Sequence, residues 1–392
     1  MVRRADSDSE EFPYLYRPTW AEVDLKALRF NLRRLKKKIG RAELMLVVKA
    51  DGYGHGAIEV ARAAESAGLV RGFGVSSVEE GVVLREAGIQ KPILILGSLY
   101  PFESTMAAIR YRLTPTVASL EGARLIEQAA EAMKKLHADE AAPLPLTCHL
   151  KIDTGMGRVG VRWPAGLRVA EYLRRSPGVR LEGVFTHLSC AETDAAYTRR
   201  QLRIFKRAVK DIADSGLKVP LRHAANSAAA VRFSQSRWDM VRSGLAAYGL
   251  YPGFLPVMTL KTRIVFLKNV DRGASLSYGG RYKTSKKSRI ATLPVGYGDG
   301  LPRLVSLGTK KRRGAFVLIG AKRCPVVGAM TMDMTMVDVT GVPEAQIGDE
   351  VVLFGRQGKS EIAVEEWAAA ASTINYEIVT HLKSRLPRLY LR

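Results

Sequence analysis

Between residues 25 and 250, short apolar runs alternate with longer segments whose apolar residues recur every three or four positions. An apolar run of about four to eight residues bounded by glycine predicts a strand buried on both faces, and the longer segments predict amphipathic helices. Eight strands are predicted in this part of the chain, at Leu44–Ala50, Gly72–Ser76, Pro92–Gly97, Leu113–Ala118, Leu146–Ile152, Leu181–His187, Val219–Ala225 and Met240–Gly249.

Eight strand–helix units over about 230 residues match the size and alternation of a (β/α)8 barrel. An open doubly wound sheet fits the same alternation, but no GxGxxG follows the first strand, which disfavours a dinucleotide-binding fold. After Tyr251-Pro252-Gly253, short strand-like runs replace the alanine-rich helices. We therefore expect a disordered or extended lead-in at 1–18, a (β/α)8 TIM barrel at 19–253 and a mainly β C-terminal domain at 254–392.

Composition narrows the class of protein. A chain of 392 residues, 47% hydrophobic and 25% charged, is typical of a globular protein of two domains. No apolar run approaches the ~18 residues of a membrane span, and Met1–Glu11 has no apolar signal segment. The three cysteines are far apart and form no CxxC, which argues against a disulfide framework or a metal site. We expect a cytoplasmic protein with no metal and no membrane partner.

The net charge of +23 raises nucleic-acid binding as a hypothesis. The cations are nevertheless spread along the whole chain, with local runs at Arg33–Lys38, Lys283–Arg289 and Lys310–Arg313. No zinc-finger, RRM or helix-turn-helix pattern accompanies them. We expect solvated helix faces and attraction of an anionic cofactor or substrate, and no dedicated nucleic-acid partner.

Candidate chemistry begins at Lys49, which closes the apolar run Leu44–Val48 and precedes a loop with three glycines. Burying an ammonium group is unfavourable, so a lysine there is either paired or deprotonated and reactive. A lowered pKa is what Schiff-base chemistry requires of a lysine. The alternative is an ordinary lysine at a strand end whose ammonium group reaches solvent.

Other polar residues lie at the predicted carboxyl ends of the strands, where barrel enzymes assemble their active sites. Taken singly, His187 is typical of a core histidine, but Arg242 lies inside an apolar strand, where an arginine needs a partner. Two short segments after strands seven and eight indicate an anion site, because small residues let backbone N–H groups approach a phosphate. These segments are Asn226-Ser227 and Ser243-Gly244-Leu245. A reactive lysine beside a phosphate site points to pyridoxal phosphate.

At this point the chain resembles the alanine racemases, from about Trp20 to Tyr390. It departs from the commonest pattern at Thr331, where that family frequently has cysteine. The motifs that carry the resemblance stand in the family's order: Val47–Gly56, Lys151–Arg158, His223–Ser227, Ser277–Gly279, Gly296–Gly300, Met332–Asp333 and Asn375–Glu377.

The resemblance implies a homodimer with shared active sites that interconverts L- and D-alanine and supplies D-alanine for peptidoglycan. Lys49 would bind pyridoxal phosphate covalently and act as one acid/base group, and the partner subunit's Tyr278 would be the other. Lys151 matches a position that is often carbamylated in this family. The resemblance further assigns Tyr53, Arg158, His187, Ser227, Arg242, Gly244, Leu245 and Tyr376 to the cofactor, and Arg158, Tyr297 and Met332 to the substrate.

Three other readings use the same residues. One is a different pyridoxal-phosphate racemase, for serine or of broad specificity. Another is a barrel-type decarboxylase, although those enzymes use a β-domain cysteine and Cys324 lies outside the expected context. The last is a non-catalytic pyridoxal-phosphate-binding protein, but such proteins resemble the barrel alone, whereas this chain continues for about 140 residues beyond it.

Overall fold

A computed structural model describes residues 16–136, 145–306 and 314–392, and the chain forms two compact units. One unit comprises Leu25–Leu255. The other combines the described residues up to Asp24 with those from Pro256 onward. The first 15 residues of the predicted lead-in, and the basic run Lys310–Arg313, lie outside the described residues.

In the described part of the first unit, eight parallel strands form a closed ring, which confirms the predicted (β/α)8 barrel. Adjacent strands form ladders at six of the eight junctions, and a bridge between Leu94 and Thr114 joins the third strand to the fourth. The backbone N–H of Arg242 donates to the carbonyl of Ala225 at 3.0 Å, and the last strand pairs with the first. The ring consists of Glu43–Val47, Gly72–Val75, Ile93–Ile95, Thr116–Val117, Leu146–Asp153, Val179–Phe185, Leu221–His223 and Met240–Ser243.

The helices of this unit place one apolar face against the barrel. In Leu25–Ile39, the buried side chains include Leu28, Leu32 and Leu35, which recur at helical spacing, while its basic residues lie toward solvent. The predicted solvated basic face is therefore confirmed for this helix. The remaining helices are Ala57–Ser66, Val78–Glu86, Phe102–Arg110, Leu120–Leu136, Gly166–Arg175, Ala195–Asp214 and Ser227–Arg232.

The described residues of the second unit form a ten-stranded, mainly antiparallel sheet and a small hairpin, which confirms the predicted β domain. Two α-helices, Val364–Ala371 and Asn375–Thr380, accompany the sheet. The strands are Thr19–Asp24, Met258–Arg263, Phe266–Val270, Ser275–Leu276, Tyr282–Lys283, Ser288–Leu293, Phe316–Ile319, Lys322–Val327, Thr335–Asp338, Glu350–Gln357, Ser360–Ile362 and Arg388–Leu391.

The amino end of the chain differs from the sequence expectation, which placed residues from 19 onward in the barrel. Thr19–Asp24 pairs antiparallel with Met258–Arg263 and parallel with Arg388–Leu391, so it is part of the second unit. The lead-in is also held in place at its end, because Arg17 forms an ion pair with the buried carboxylate of Asp299. A local hydrophobic pattern predicts a strand but contains no information about which distant strand will pair with it.

Gly300 offers a test of the packing in the second unit. Its φ is +101°, and a Cβ at this position would lie 1.9 Å from the carbonyl oxygen of His381. A left-handed conformation costs a residue with a Cβ about 1–2 kcal/mol. We therefore expect Gly300→Ala to lower the free energy of unfolding by about 2 kcal/mol or more in urea denaturation. Gly341→Ala is the control, since its Cβ would meet open space, and equal losses in the two variants would contradict this account.

Candidate active site

The segment after the first barrel strand adopts an unusual backbone conformation. The strand ends before Lys49, and Ala50, Asp51 and Tyr53 all have φ values between 51° and 54°. Each such residue costs about 1–2 kcal/mol. The turn is fixed by neighbours, since the N–H of Ala50 donates to Glu80 Oε1 at 2.7 Å. Backbone strain of this kind concentrates at functional sites, where surrounding contacts maintain it.

Lys49 stands at the start of this turn. Burial lowers the pKa of its amine, and the positive charge of Arg158 lowers it further, while Glu80 acts in the opposite direction. A lowered pKa increases the fraction of neutral, nucleophilic amine at neutral pH. The structure thus favours the reactive reading of Lys49 over that of an ordinary surface lysine.

A second lysine lies inside the barrel. Lys151 is 5% exposed, and its Nζ donates to the carbonyl of Leu96 at 3.4 Å. Burial, with the charges of Arg158 and Arg242, lowers the pKa of Lys151 from its ordinary value of 10.5 to about 8. This amine therefore loses its proton far more readily than a lysine in water.

Arg242 is buried in the last barrel strand and has carbonyl and imidazole partners. Its NH2 group donates to the carbonyl of Thr186 at 2.7 Å and to that of Ala224 at 3.2 Å. Its NH1 group contacts Nδ1 of His223 at 2.8 Å. Burial lowers the pKa of Arg242 to about 9, so it remains charged at neutral pH. Within the described part of the chain, no carboxylate lies at ion-pair distance from this guanidinium.

His187 contributes a neutral ring to the same end of the barrel. Burial is the main cause that lowers the pKa of His187 to about 3, so the imidazole carries no charge at neutral pH. The second cause is the positive charge of its neighbours, which are Arg242, Arg158, Lys151 and Lys49. This cluster of cations makes the site attractive to anions.

The residues of the predicted anion site form a small polar cluster. Ser227 Oγ accepts the backbone N–H of Gly244 at 3.2 Å and lies 3.1 Å from the hydroxyl oxygen of Ser243. Gly244 has no room for a side chain, because a Cβ would lie 2.6 Å from the hydroxyl oxygen of Tyr53. Asn226 Oδ1 accepts the N–H of Ala229 at 3.0 Å and so caps the helix that follows.

Arg158 ends a tight loop that Asp153 organises. Asp153 Oδ1 accepts the backbone N–H groups of Gly155, Met156 and Gly157 at distances of 2.9 to 3.1 Å. Burial is the largest single cause and raises the pKa of the Asp153 carboxyl. The three hydrogen bonds and the charge of Arg162 act together in the opposite direction and hold this pKa below its ordinary value. The carboxylate is thus engaged by the loop, and Arg158 itself is exposed.

In the second unit, the structure brings Tyr297 and Met332 together. The N–H of Tyr297 donates to the carbonyl of Thr331 at 3.1 Å, and that of Gly298 donates to the carbonyl of Met332 at 2.8 Å. Buried Asp299 accepts the N–H of Gly296 at 2.9 Å. The side chains of Tyr297 and Met332 are nevertheless 38% and 53% exposed.

Tyr278 is 72% exposed and opens a short 3-10 turn in the second unit. The preceding residue, Ser277, has a φ of 64°, and its hydroxyl donates to the carbonyl of Ala329 at 2.6 Å. Tyr376 lies in the helix Asn375–Thr380. The predicted site residues are therefore divided, with Lys49, Tyr53, Lys151, Arg158, His187, Asn226, Ser227, Arg242, Gly244 and Leu245 in the barrel unit and Tyr278, Tyr297, Met332 and Tyr376 in the second unit.

Sequence reasoning missed two buried histidines behind Arg242. His223 was noted only as part of a motif, and His149 was not noted at all. One signal was available, because His149 and Lys151 are two residues apart on one strand and so point to the same side of the sheet.

Among the described residues, no group of three or more His, Cys, Asp or Glu side chains is arranged to hold a metal ion. Cys148, Cys190 and Cys324 are all free thiols. The helices that the structure describes include none with the length and hydrophobicity needed to cross a membrane.

Comparison with known proteins identifies the family. The profile of the alanine racemase N-terminal domain matches residues 23–252, and that of the C-terminal domain matches residues 257–390. The chain belongs to the alanine racemase family. It is 45% identical over 384 residues to the alanine racemase of Symbiobacterium thermophilum, covering 95% of this chain and 97% of that protein.

Solved alanine racemases share the fold. The enzyme of Clostridium difficile 630 aligns with a TM-score of 0.87 at 35% identity, covering 96% of this chain and 97% of that one. The enzyme of Bacillus anthracis with bound L-Ala-P aligns with a TM-score of 0.84 at 35% identity, covering 97% and 96%. The resemblance inferred from the motifs is therefore confirmed.

Alanine racemases depend on pyridoxal phosphate, and the residues present here fit that group. The amine of Lys49 has a lowered pKa, as a Schiff-base lysine requires. Ser227 and the backbone around Gly244 form a cluster of small groups suited to a phosphate. Arg242 is a buried cation with no carboxylate partner among the described residues, so it suits an acceptor such as a pyridine nitrogen.

The lowered pKa of Lys151 predicts a pH-dependent effect on stability. The native chain binds this proton less tightly than the unfolded chain, so the buried charge destabilises the fold below pH 8, and the destabilisation disappears between about pH 8 and 10.5. We expect Lys151→Met to unfold with a free energy up to about 3 kcal/mol higher at pH 7, and the gain to shrink toward pH 10.5. Urea denaturation of the cofactor-free proteins in buffer without CO2 measures this difference. A gain that did not change with pH would contradict the assignment.

Proposed function

We propose that this chain interconverts L- and D-alanine with pyridoxal phosphate bound covalently by Lys49, and that it supplies D-alanine for peptidoglycan. The observation that carries the proposal is the meeting, at one end of a barrel, of a reactive lysine, an anion subsite and a buried arginine without a carboxylate. When bound, pyridoxal phosphate withdraws electrons from the substrate α-carbon and so makes its proton acidic.

We assign Tyr53, Ser227, Gly244 and Leu245 of the barrel unit to the phosphate subsite. Their hydroxyl and backbone N–H groups are suitable donors to a dianion. Asn226 supports this subsite indirectly, by capping the helix that begins at Ser227.

Three barrel residues orient the rest of the cofactor. Arg242 would donate a hydrogen bond to the ring nitrogen and keep its own proton, because its pKa of about 9 leaves it charged at neutral pH. His187, a neutral imidazole, would contact the ring. Arg158 would bind the phenolic oxygen and the substrate carboxylate. Since Arg242 does not give up a proton, the ring nitrogen is not protonated by this residue.

Racemisation needs one acid/base group on each face of the α-carbon, and we assign Lys49 to one face and the partner subunit's Tyr278 to the other. A phenol has an ordinary pKa of about 10 and is a poor base at neutral pH without cationic neighbours. The cations of the barrel end, Arg158 and Arg242, provide a positive environment that favours a phenolate.

A homodimer with shared active sites accounts for the exposure of the second-unit residues. Tyr278, Tyr297 and Met332 are 72%, 38% and 53% exposed, as expected for side chains that become buried only when a second subunit binds. Tyr297 and Met332, which the backbone holds together, would restrict the substrate to a small side chain such as that of alanine.

We further propose that Lys151 reacts with CO2. The lone pair of the neutral amine forms a C–N bond to the carbon of CO2 while one C=O π bond breaks and its electron pair moves to oxygen. The nitrogen then loses one proton to solvent, and a carbamate anion remains. The lowered pKa of Lys151 favours the neutral amine, and the product places a negative charge beside Arg158.

The free thiols support the expectation of a reducing, cytoplasmic location.

Borohydride reduction tests the assignment of Lys49. We expect peptide mass spectrometry of the reduced holoprotein to find the pyridoxyl group on Lys49, and Lys49→Ala to lose the group together with nearly all activity. Lys91→Ala, which removes an ordinary lysine at the opposite end of the strands, should retain both. An adduct at another lysine, or none in the wild type, would disprove the proposal.

Isotope exchange tests the two-face assignment. In Tyr278→Phe we expect deuterium uptake from solvent at the α-carbon to fall at least about tenfold more for one alanine enantiomer than for the other, because only one face loses its acid/base group. Tyr100→Phe removes the hydroxyl of another exposed tyrosine and should leave exchange unchanged. Equal losses from L- and D-alanine in Tyr278→Phe would show that this residue is not a face-specific base.

A further inference from the structure

A chain of buried polar side chains runs from Arg242 through the barrel. Arg242 NH1 lies 2.8 Å from His223 Nδ1, and His223 Nε2 lies 2.8 Å from His149 Nδ1. His149 Nε2 faces Glu182 Oε2 at 3.6 Å, and Arg71 donates to the other oxygen of Glu182 at 3.4 Å. Arg242, His223 and His149 are at most 3% exposed, so solvent does not compete for the contacts among these three side chains. None of them except Arg242 has a role in the function proposed above.

Donor and acceptor chemistry allows one arrangement of protons along this chain. A guanidinium only donates, so His223 must accept at Nδ1 and hold its proton on Nε2. That proton is donated to His149 Nδ1, and His149 in turn must hold its proton on Nε2, which faces the carboxylate of Glu182. Both imidazoles are therefore neutral and share the same tautomer.

Protonation of His149 would break this order. A doubly protonated His149 donates at Nδ1, so His223 would have to accept at Nε2 and move its own proton to Nδ1. Two N–H groups, from His223 and Arg242, would then face each other where the structure has 2.8 Å between nitrogens. Arg242 would lose one of its contacts and be pushed from its position.

The surroundings of His149 set its charge. Burial is the largest cause that lowers the pKa of His149, and the charges of Arg242 and Arg71 act in the same direction. Glu182 acts oppositely, because its carboxylate favours the charged ring. The ring of His223 completes the surroundings and carries no charge, since burial lowers its pKa well below the ordinary value. Glu182 and Arg71 thus have opposite effects on the pKa of His149, since the carboxylate raises it and the guanidinium lowers it.

We propose that His149 and Glu182 are positioning residues for Arg242, acting through His223 so that the guanidinium remains aimed at the pyridine nitrogen only while His149 is neutral. This inference rests on the proposed binding of pyridoxal phosphate. It adds that His149 and Glu182 affect the affinity for pyridoxal phosphate although they do not contact the cofactor.

Nuclear magnetic resonance of the full-length, cofactor-free protein labelled with 15N in its histidine rings tests the proton arrangement. Near neutral pH we expect His149 and His223 to be neutral and protonated on Nε2. On acidification, we expect His223 to move its proton to Nδ1 at the pH where His149 becomes charged. A different tautomer in either ring at neutral pH, or independent titration of the two rings, would overturn the proposal.

Equilibrium binding of pyridoxal phosphate to the same protein, followed by absorbance between pH 4.5 and 9, tests the link to Arg242. We expect an acid-side loss of affinity whose midpoint equals that of His149. Glu182→Gln should move both midpoints to lower pH and Arg71→Gln should move both to higher pH, by about half a unit or more. Glu171→Gln removes a carboxylate from an outer helix and should move neither.

Two substitutions of His149 separate positioning from mere packing. His149→Asn retains an acceptor toward His223 but cannot be protonated, so it should bind pyridoxal phosphate at neutral pH and lack the acid transition. His149→Leu retains bulk without the acceptor and should bind about tenfold more weakly at neutral pH. An unchanged acid transition in His149→Asn would overturn the inference. A wild type that binds no pyridoxal phosphate at any pH would instead refute the proposed function, and the histidine resonances would still decide the proton arrangement.

Discussion

The arrangement of this site depends on an excess of positive charge at one end of the barrel. Burial is the largest cause that lowers the pKa of the Lys49 and Lys151 amines, and the charge of Arg158 lowers both further, while Arg242 adds to the effect at Lys151. The nearby carboxylate of Asp153 is engaged by backbone N–H groups of its own loop. The cations of such a cluster repel one another, and bound anions offset this repulsion. The site is therefore suited electrostatically to bind a phosphate and a carboxylate.

The backbone is adapted to hold that charge. Three non-glycine residues in left-handed conformation follow Lys49, and Gly244 leaves only enough room for the Tyr53 hydroxyl. The left-handed turn and the glycine both reduce local stability, and they position Lys49 and the Tyr53 hydroxyl, respectively. The closed ring of strands and its helical cover provide the stability that such a site requires, because strain persists only where surrounding contacts over-determine it.

Much of the fold and the barrel half of the site could be predicted from sequence. All eight barrel strands were located because buried parallel strands are continuous apolar runs, and Lys49 was found because a charge at the end of such a run is conspicuous. The pairing of Thr19–Asp24 could not be predicted, since it depends on strands more than 230 residues away. His149 was missed because a buried hydrogen bond depends on three-dimensional neighbours that spacing alone does not reveal.

The strand Thr19–Asp24 has a consequence for biosynthesis. It lies between Met258–Arg263 and Arg388–Leu391, both of which follow the barrel in the sequence. During translation this amino-terminal segment must therefore remain unpaired while the whole barrel is made, because both of its partner strands are synthesised after the barrel. A ribosome-bound chain would hold a finished barrel between two halves of an unfinished sheet.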